Sequence, residues 1–173
     1  MSLETMAVRN CFNSNQMALA TRAGKVAAGL VTEYYKIAPR EWSRMPYEVR
    51  TLRSLDESEV VDHALAHTLC FEFRRQAGPF VLDEGELYRI CLQDHRILNT
   101  AVRADARLSD LLTYVLTHEL VHVVRFGQRL QEIDLPFELR PREERNVERT
   151  TRNILSSAGL RRAASLFPSH RLN

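Results

Sequence analysis

The chain has 173 residues, enough for one domain with a substantial core, and no apolar run in it approaches the length of a membrane span. Its three cysteines, Cys11, Cys70 and Cys91, are scattered and lack any C-x-x-C spacing, which excludes a disulfide framework or a cysteine zinc site. The net charge of +2 says little about partners, and residues 1–15 lack a signal-peptide pattern, so a cytoplasmic location is the expectation.

Taken in order, residues 1–13 read as a loose lead-in. From Ser14 to about residue 37 the pattern is helical, with Ser14 or Asn13 as N-cap; Met17, Ala20, Ala27, Leu30, Val31, Tyr34 and Tyr35 form an apolar side, and Pro39 ends the run. Residues 48–52 alternate and predict a short strand or extended segment. Asp56 with Glu59 three residues on predicts a capped short helix over 56–66. It leads to His63 and His67, four apart, which form a weak candidate for a second metal site beside the simpler reading as ordinary core or surface histidines.

Residues 68–74 alternate apolar and polar and predict a half-buried strand; Gly78-Pro79 predicts a turn. Residues 87–92 predict another strand, and 96–102 a further extended piece or turn. A helix follows over 108–126, capped by Asp105 or Ser109 and closed by Gly127. Residues 129–140 read as a loop carrying Glu132, Asp134 and Glu138. Pro141, with Glu143 and Glu144 in the first turn, opens a helix over 141–157, and Gly159 lies beyond its end. From Arg140 onward basic residues outnumber acidic ones. Phe167 is the one Phe, Trp or Tyr there, too few for interleaved aromatic stacking, so a solvated helix face explains the excess better than a nucleic-acid surface does. Residues 161–173 read as a basic tail. No repeat, linker or domain boundary is visible, so residues 1–173 are expected to form a single domain.

The stretch with chemistry is His118-Glu119-Leu120-Val121-His122, an H-E-x-x-H motif inside the apolar run 111–126. Residues four apart share a helix face, so both imidazoles can point at one ion. Zn²⁺ prefers such nitrogen ligands in a tetrahedral site. Glu119 lies about 100° round the helix, beside the ion, where a carboxylate can deprotonate a metal-bound water. The helix is apolar nearly all round and so is expected to be buried. Two His and a Glu inside it are costly unless something satisfies them, which favours a metal over a metal-free core.

A catalytic zinc site usually has three protein ligands. A third His six residues after His122 would mark the metzincin pattern, but that position is Gln128, and Arg125 stands where its glycine belongs. Asp134 is one candidate, and a glutamate on the following helix is a better one, because a helix holds a carboxylate rigidly. The chain here resembles the gluzincins, H-E-x-x-H metallopeptidases whose third ligand is a downstream helical glutamate, often within E-x-x-A-[D/N]. This sequence has Glu144-Arg145-Asn146-Val147-Glu148. Glu144 matches the ligand, Val147 the small packing residue, and Glu148 the position that hydrogen-bonds a ligating His. Val for Ala and Glu for Asp are departures that leave Glu143 and Glu148 as alternative ligands.

The resemblance implies an α+β zincin-like fold, a small mixed sheet packed against helices, with peptide bound by addition to an edge strand. That strand would be 87–92. It implies zinc-dependent hydrolysis of a peptide or protein substrate, with Glu119 as general base. Zincins often add a Tyr, His or Arg to steady the oxyanion, for which Tyr88, Tyr114, Arg125 and His170 are candidates. The alternative is a non-catalytic zinc-stabilised domain that binds a partner or regulates.

Overall fold

The computed structural model describes residues 9–167, except the side chains of 80–82. Helices α1 (Ser14–Tyr35) and α2 (Pro39–Trp42) precede strand β1 (Tyr47–Arg50). Strands β2 (Ala66–Ala77) and β3 (Phe80–Leu92) follow, then helices α3 (Asp94–Arg103), α4 (Leu108–Gly127), α5 (Arg140–Ser157) and α6 (Arg161–Ala164). The result is a mixed α+β architecture in which a small three-stranded sheet packs against helices.

Helix α1 starts where Asn13 and Gln16 cap each other: Gln16 N–H donates to Asn13 Oδ1 at 3.0 Å, and Asn13 N–H to Gln16 Oε1 at 2.8 Å. It stops at Lys36, which takes a left-handed conformation (φ 55°), before Pro39 is reached. Pro39 then opens α2 rather than ending α1. The buried stripe of α1 is Ala20, Ala23, Ala27 and Val31, small side chains that let it lie close along α4. Residues 9–13 are not a loose lead-in: Phe12 is fully buried and its N–H donates to Asp94 Oδ2 at 2.8 Å. Residues 1–8 lie outside the described part.

The strand order is β1-β3-β2, with β1 parallel and β2 antiparallel to β3. Residues 87–92 therefore lie in the central strand, not at an edge. Tyr88, Ile90, Cys91 and Leu92 are all fully buried, as a strand covered on both sides and both faces requires. Strands β1 and β2 are the two edges. The Gly78-Pro79 turn is where the sequence puts it, with Gly78 at φ 59°, but the strands run right up to it on both sides.

Helix α4 is the hub, packed by α1, α3, α5, α6 and β2. Leu111, Leu112, Leu116, Leu120, Val121, Val123 and Val124 are all 0–1% exposed, each such side chain contributing roughly 1.5–3 kcal/mol. Its N-cap is Arg107, not Asp105 or Ser109. Gly127 is its last residue, and a Cβ there would collide with the buried Met45 side chain. Close packing, rather than a left-handed cap, accounts for that glycine.

Three further expectations fail for physical reasons. Over 56–66 the Asp56–Glu59 capping box forms, but it closes only a 3₁₀ turn, Glu57–Glu59. The buried Gln93 amide takes the next main-chain groups, donating to Glu59 C=O at 3.0 Å and accepting from Val61 N–H at 3.1 Å, so no helix continues. Residues 96–102 are helical, within α3, where Ile97 and Ala101 lie on one face against the core. Residues 161–167 are also ordered into the core: Ala163 and Ala164 of α6 are buried. No helix of the described residues is long and apolar enough to cross a membrane.

Candidate functional site

His118 and His122 project from the same face of α4, their ring centroids 5.0 Å apart and planes at 71°. Opposite them stands α5, held on α4 by its buried stripe of Val147, Thr151, Ile154 and Leu155. Glu144 is one turn before Val147 on that stripe, so its carboxylate meets the two imidazoles. Glu144 Oε1 lies 2.8 Å from His118 Nε2, and Oε2 3.3 Å from His122 Nε2. One donor atom from each of the three residues falls within 4.8 Å of the others, a group that could hold a metal ion. Burial opposes ionisation of Glu144, but its hydrogen bonds to His118 and His122, and their charges, outweigh it and hold the carboxyl far below the usual range. Burial likewise opposes a charge on His122; Glu144, Glu119 and Gln131 together win and raise its pKa.

Glu119 lies beside this cluster and outside it. It is 5% exposed and accepts a hydrogen bond at 2.8 Å from the Thr68 hydroxyl of β2. Together, Ala66, His67 and Thr68 of β2 with His118, Glu119, His122, Phe126 and Glu144 line a cleft of about 320 Å³. Tyr114, one turn before His118, stacks beside its ring at 6.2 Å and lines the neighbouring part of the cleft. Burial, then the nearby Glu148 charge, pushes its phenol up to about 12.

The other carboxylates are occupied elsewhere. Glu143 faces away from the imidazoles, bound by Arg125 Nε and by Asn146 Nδ2 at 3.3 Å. Glu148 does not hydrogen-bond a histidine; it accepts from Arg152 at 3.0 Å. The group facing His122 Nδ1 is instead the Gln131 amide oxygen, at 3.3 Å, and His118 Nδ1 is buried with no hydrogen-bond partner. Glu148 follows Glu144 by one helical turn, and that geometry brings it to Arg152 on its own helix instead. Asp134 is exposed in the loop and outside the donor cluster. His63 and His67 belong to no three-donor group among the described residues, though His67 does line the cleft.

Of the oxyanion candidates, Tyr88 is buried and donates to Glu86 at 2.5 Å, and Arg125 is committed to Glu143. Tyr114 does reach the cleft, and His170 lies outside the described residues. Thr68, Gln131 and the Arg125–Glu143 pair have no signature in the sequence. Only the fold brings a strand hydroxyl, a loop amide and a helix guanidinium to these places.

Fold and site together define an α+β protein with a His-His-Glu donor cluster and an adjoining buried glutamate at the foot of a cleft. No family model, curated protein or solved structure matches the chain.

Proposed function

We propose that the chain is a zincin-like, gluzincin-type zinc metallopeptidase acting on a peptide or protein substrate. The observation that carries this reading is the convergence of His118, His122 and Glu144, with Glu119 beside them but not among them. Two imidazole nitrogens and one carboxylate oxygen are the donor set of many catalytic zinc sites, which leave a further position open. His118, His122 and Glu144 would hold the ion. Bound there, zinc would supply a Lewis acid that polarises a carbonyl and lowers the pKa of water.

The remaining chemistry belongs to the chain. Glu119 takes the proton of the attacking water and delivers it to the leaving amine. Thr68 keeps that carboxylate turned to the cleft, and the Gln131 amide oxygen, facing Nδ1, favours the tautomer that leaves His122 Nε2 free to ligate. The free edge of β2 offers main-chain partners to an extended substrate, beside Glu119. In this reading β2 takes the role that the sequence had assigned to residues 87–92.

The test is hydrolysis of a mixed peptide library by the wild type and by Glu119→Gln. General-base catalysis contributes about 10²–10⁴-fold, and the variant should lose that much while keeping its metal and its melting temperature. Hydrolysis that survives Glu119→Gln overturns the assignment. A metal-bound wild type that cleaves nothing favours the zinc-stabilised binding domain instead.

A further inference from the structure

Leu116 and Leu120 stand two residues to either side of His118, about 200° round α4 from it. They floor a second cavity, of about 330 Å³, on the opposite side of that helix. Met17, Thr21 and Gly24 of α1 form one wall, and Tyr47 and Val49 of β1 form the other. Gly24 leaves its wall open: a Cβ there would meet only Leu116 Cδ1, at 3.9 Å. The one charged residue in the lining is Lys25, which is exposed and has no ion-pair partner among the described residues.

The backbone of β1 narrows the class of ligand. β1 is an edge strand, paired only with β3. Pro46 C=O accepts Tyr88 N–H at 2.9 Å, which sets the phase of the parallel ladder. Residues 46, 48 and 50 turn their main-chain groups toward β3, and Tyr47 and Val49 turn theirs away from it. Among the described residues no hydrogen bond engages the N–H or C=O of Tyr47 or Val49. The side chains of the same two residues face the cavity, and Val49 is 41% exposed. An apolar small molecule would fill the cavity but leave these donors and acceptors unpaired. An extended peptide satisfies both.

We infer that the α1–β1 groove binds an extended segment of a protein partner, which adds as a further strand to β1. Alternate apolar side chains of the segment seat against Leu116 and Leu120, and an acidic side chain meets Lys25. This site is separate from the cleft and does not depend on the proposed hydrolysis.

The experiment pans a displayed library of random peptides against the full chain and measures the affinity of the enriched sequences. Enriched peptides should alternate apolar residues and carry an Asp or Glu. On binding they should slow hydrogen exchange of the Tyr47 and Val49 amides. Gly24→Leu fills the groove from a helix that tolerates leucine, and Lys25→Glu reverses its charge. Each should weaken binding by at least about tenfold, with circular dichroism melting used to confirm that both variants are folded. Failure to enrich any peptide overturns the inference. So does binding that both folded variants retain, or protection confined to the His118–Glu144 cleft.

Discussion

The Arg125–Glu143 pair should be worth more than an ordinary ion pair, because of where it sits. Arg125 is on α4 one turn after the motif, and Glu143 is next to Glu144 on α5. The two side chains are 17% and 14% exposed, and the Arg125 charge also acts on the Tyr35 hydroxyl at the end of α1. One guanidinium therefore ties α4 to α5 at the point that positions Glu144. Arg125→Met keeps the aliphatic bulk but leaves the Glu143 carboxylate largely buried with only Asn146 beside it. Breaking a buried pair from one side costs about 3–5 kcal/mol. For a chain of this size that corresponds to a fall of roughly 6–20 °C in melting temperature. Adding Glu143→Leu removes the stranded charge and should recover most of the loss. Urea unfolding of the single and double variants is the assay. A loss under about 1 kcal/mol for Arg125→Met, the range of exposed pairs, or a double variant no better than the single, refutes the argument.

Other outcomes follow from the same reasoning. Burial raises the Glu59 pKa, but the Asp56 N–H and the Arg89 guanidinium, 2.6 Å away, outweigh it and bring the folded value below the ordinary 4.5. On acidification the unfolded chain therefore takes up this proton first. The stabilisation is complete above about 4.5 and disappears as pH falls through the lower folded value. Glu59→Gln should thus be clearly less stable than wild type near neutrality and converge on it in acid; a stability gap independent of pH contradicts this. Gly127→Ala should destabilise by about 1–3 kcal/mol through overpacking against Met45, and a smaller side chain at 45 should relieve part of the cost. Equal stability of Gly127→Ala and wild type, in thermal melts, would show that Met45 yields freely.

What the sequence made legible divides along physical lines. Helix α4 could be read because burial on every side leaves an almost unbroken apolar run, and a polar triplet inside it demands an explanation. Glu144 could be read because α5 carries a regular stripe, and the residue one turn before Val147 must face the same neighbour. Helix α3 was hidden because it is short, and its polar positions His95, Arg96, Asn99 and Thr100 obscure the Ile97–Ala101 spacing. The strand over 68–74 could be read from its alternation, but its half-burial fails because Phe71 and Phe73 are exposed, and residues 75–77 and 83–86 were hidden because the ribbon extends past the core there and alternation has nothing to record. The helix expected over 56–66 failed through a long-range event, the arrival of Gln93, that no local pattern contains. The same holds for Thr68 beside Glu119 and Gln131 beside His122. The motif fixed which residues could ligate, and tertiary contacts decided what holds them in place.

Metal content decides whether His118, His122 and Glu144 form a metal site. Purified chain is dialysed against a weak chelator and its zinc measured by elemental analysis, for the wild type and for Glu144→Ala, Glu143→Ala, Glu148→Ala and Asp134→Ala. Close to one zinc per wild-type chain is expected, with its loss in Glu144→Ala and near-normal retention in the other three. A folded wild type that holds no zinc, or a site emptied by Asp134→Ala and not by Glu144→Ala, contradicts it.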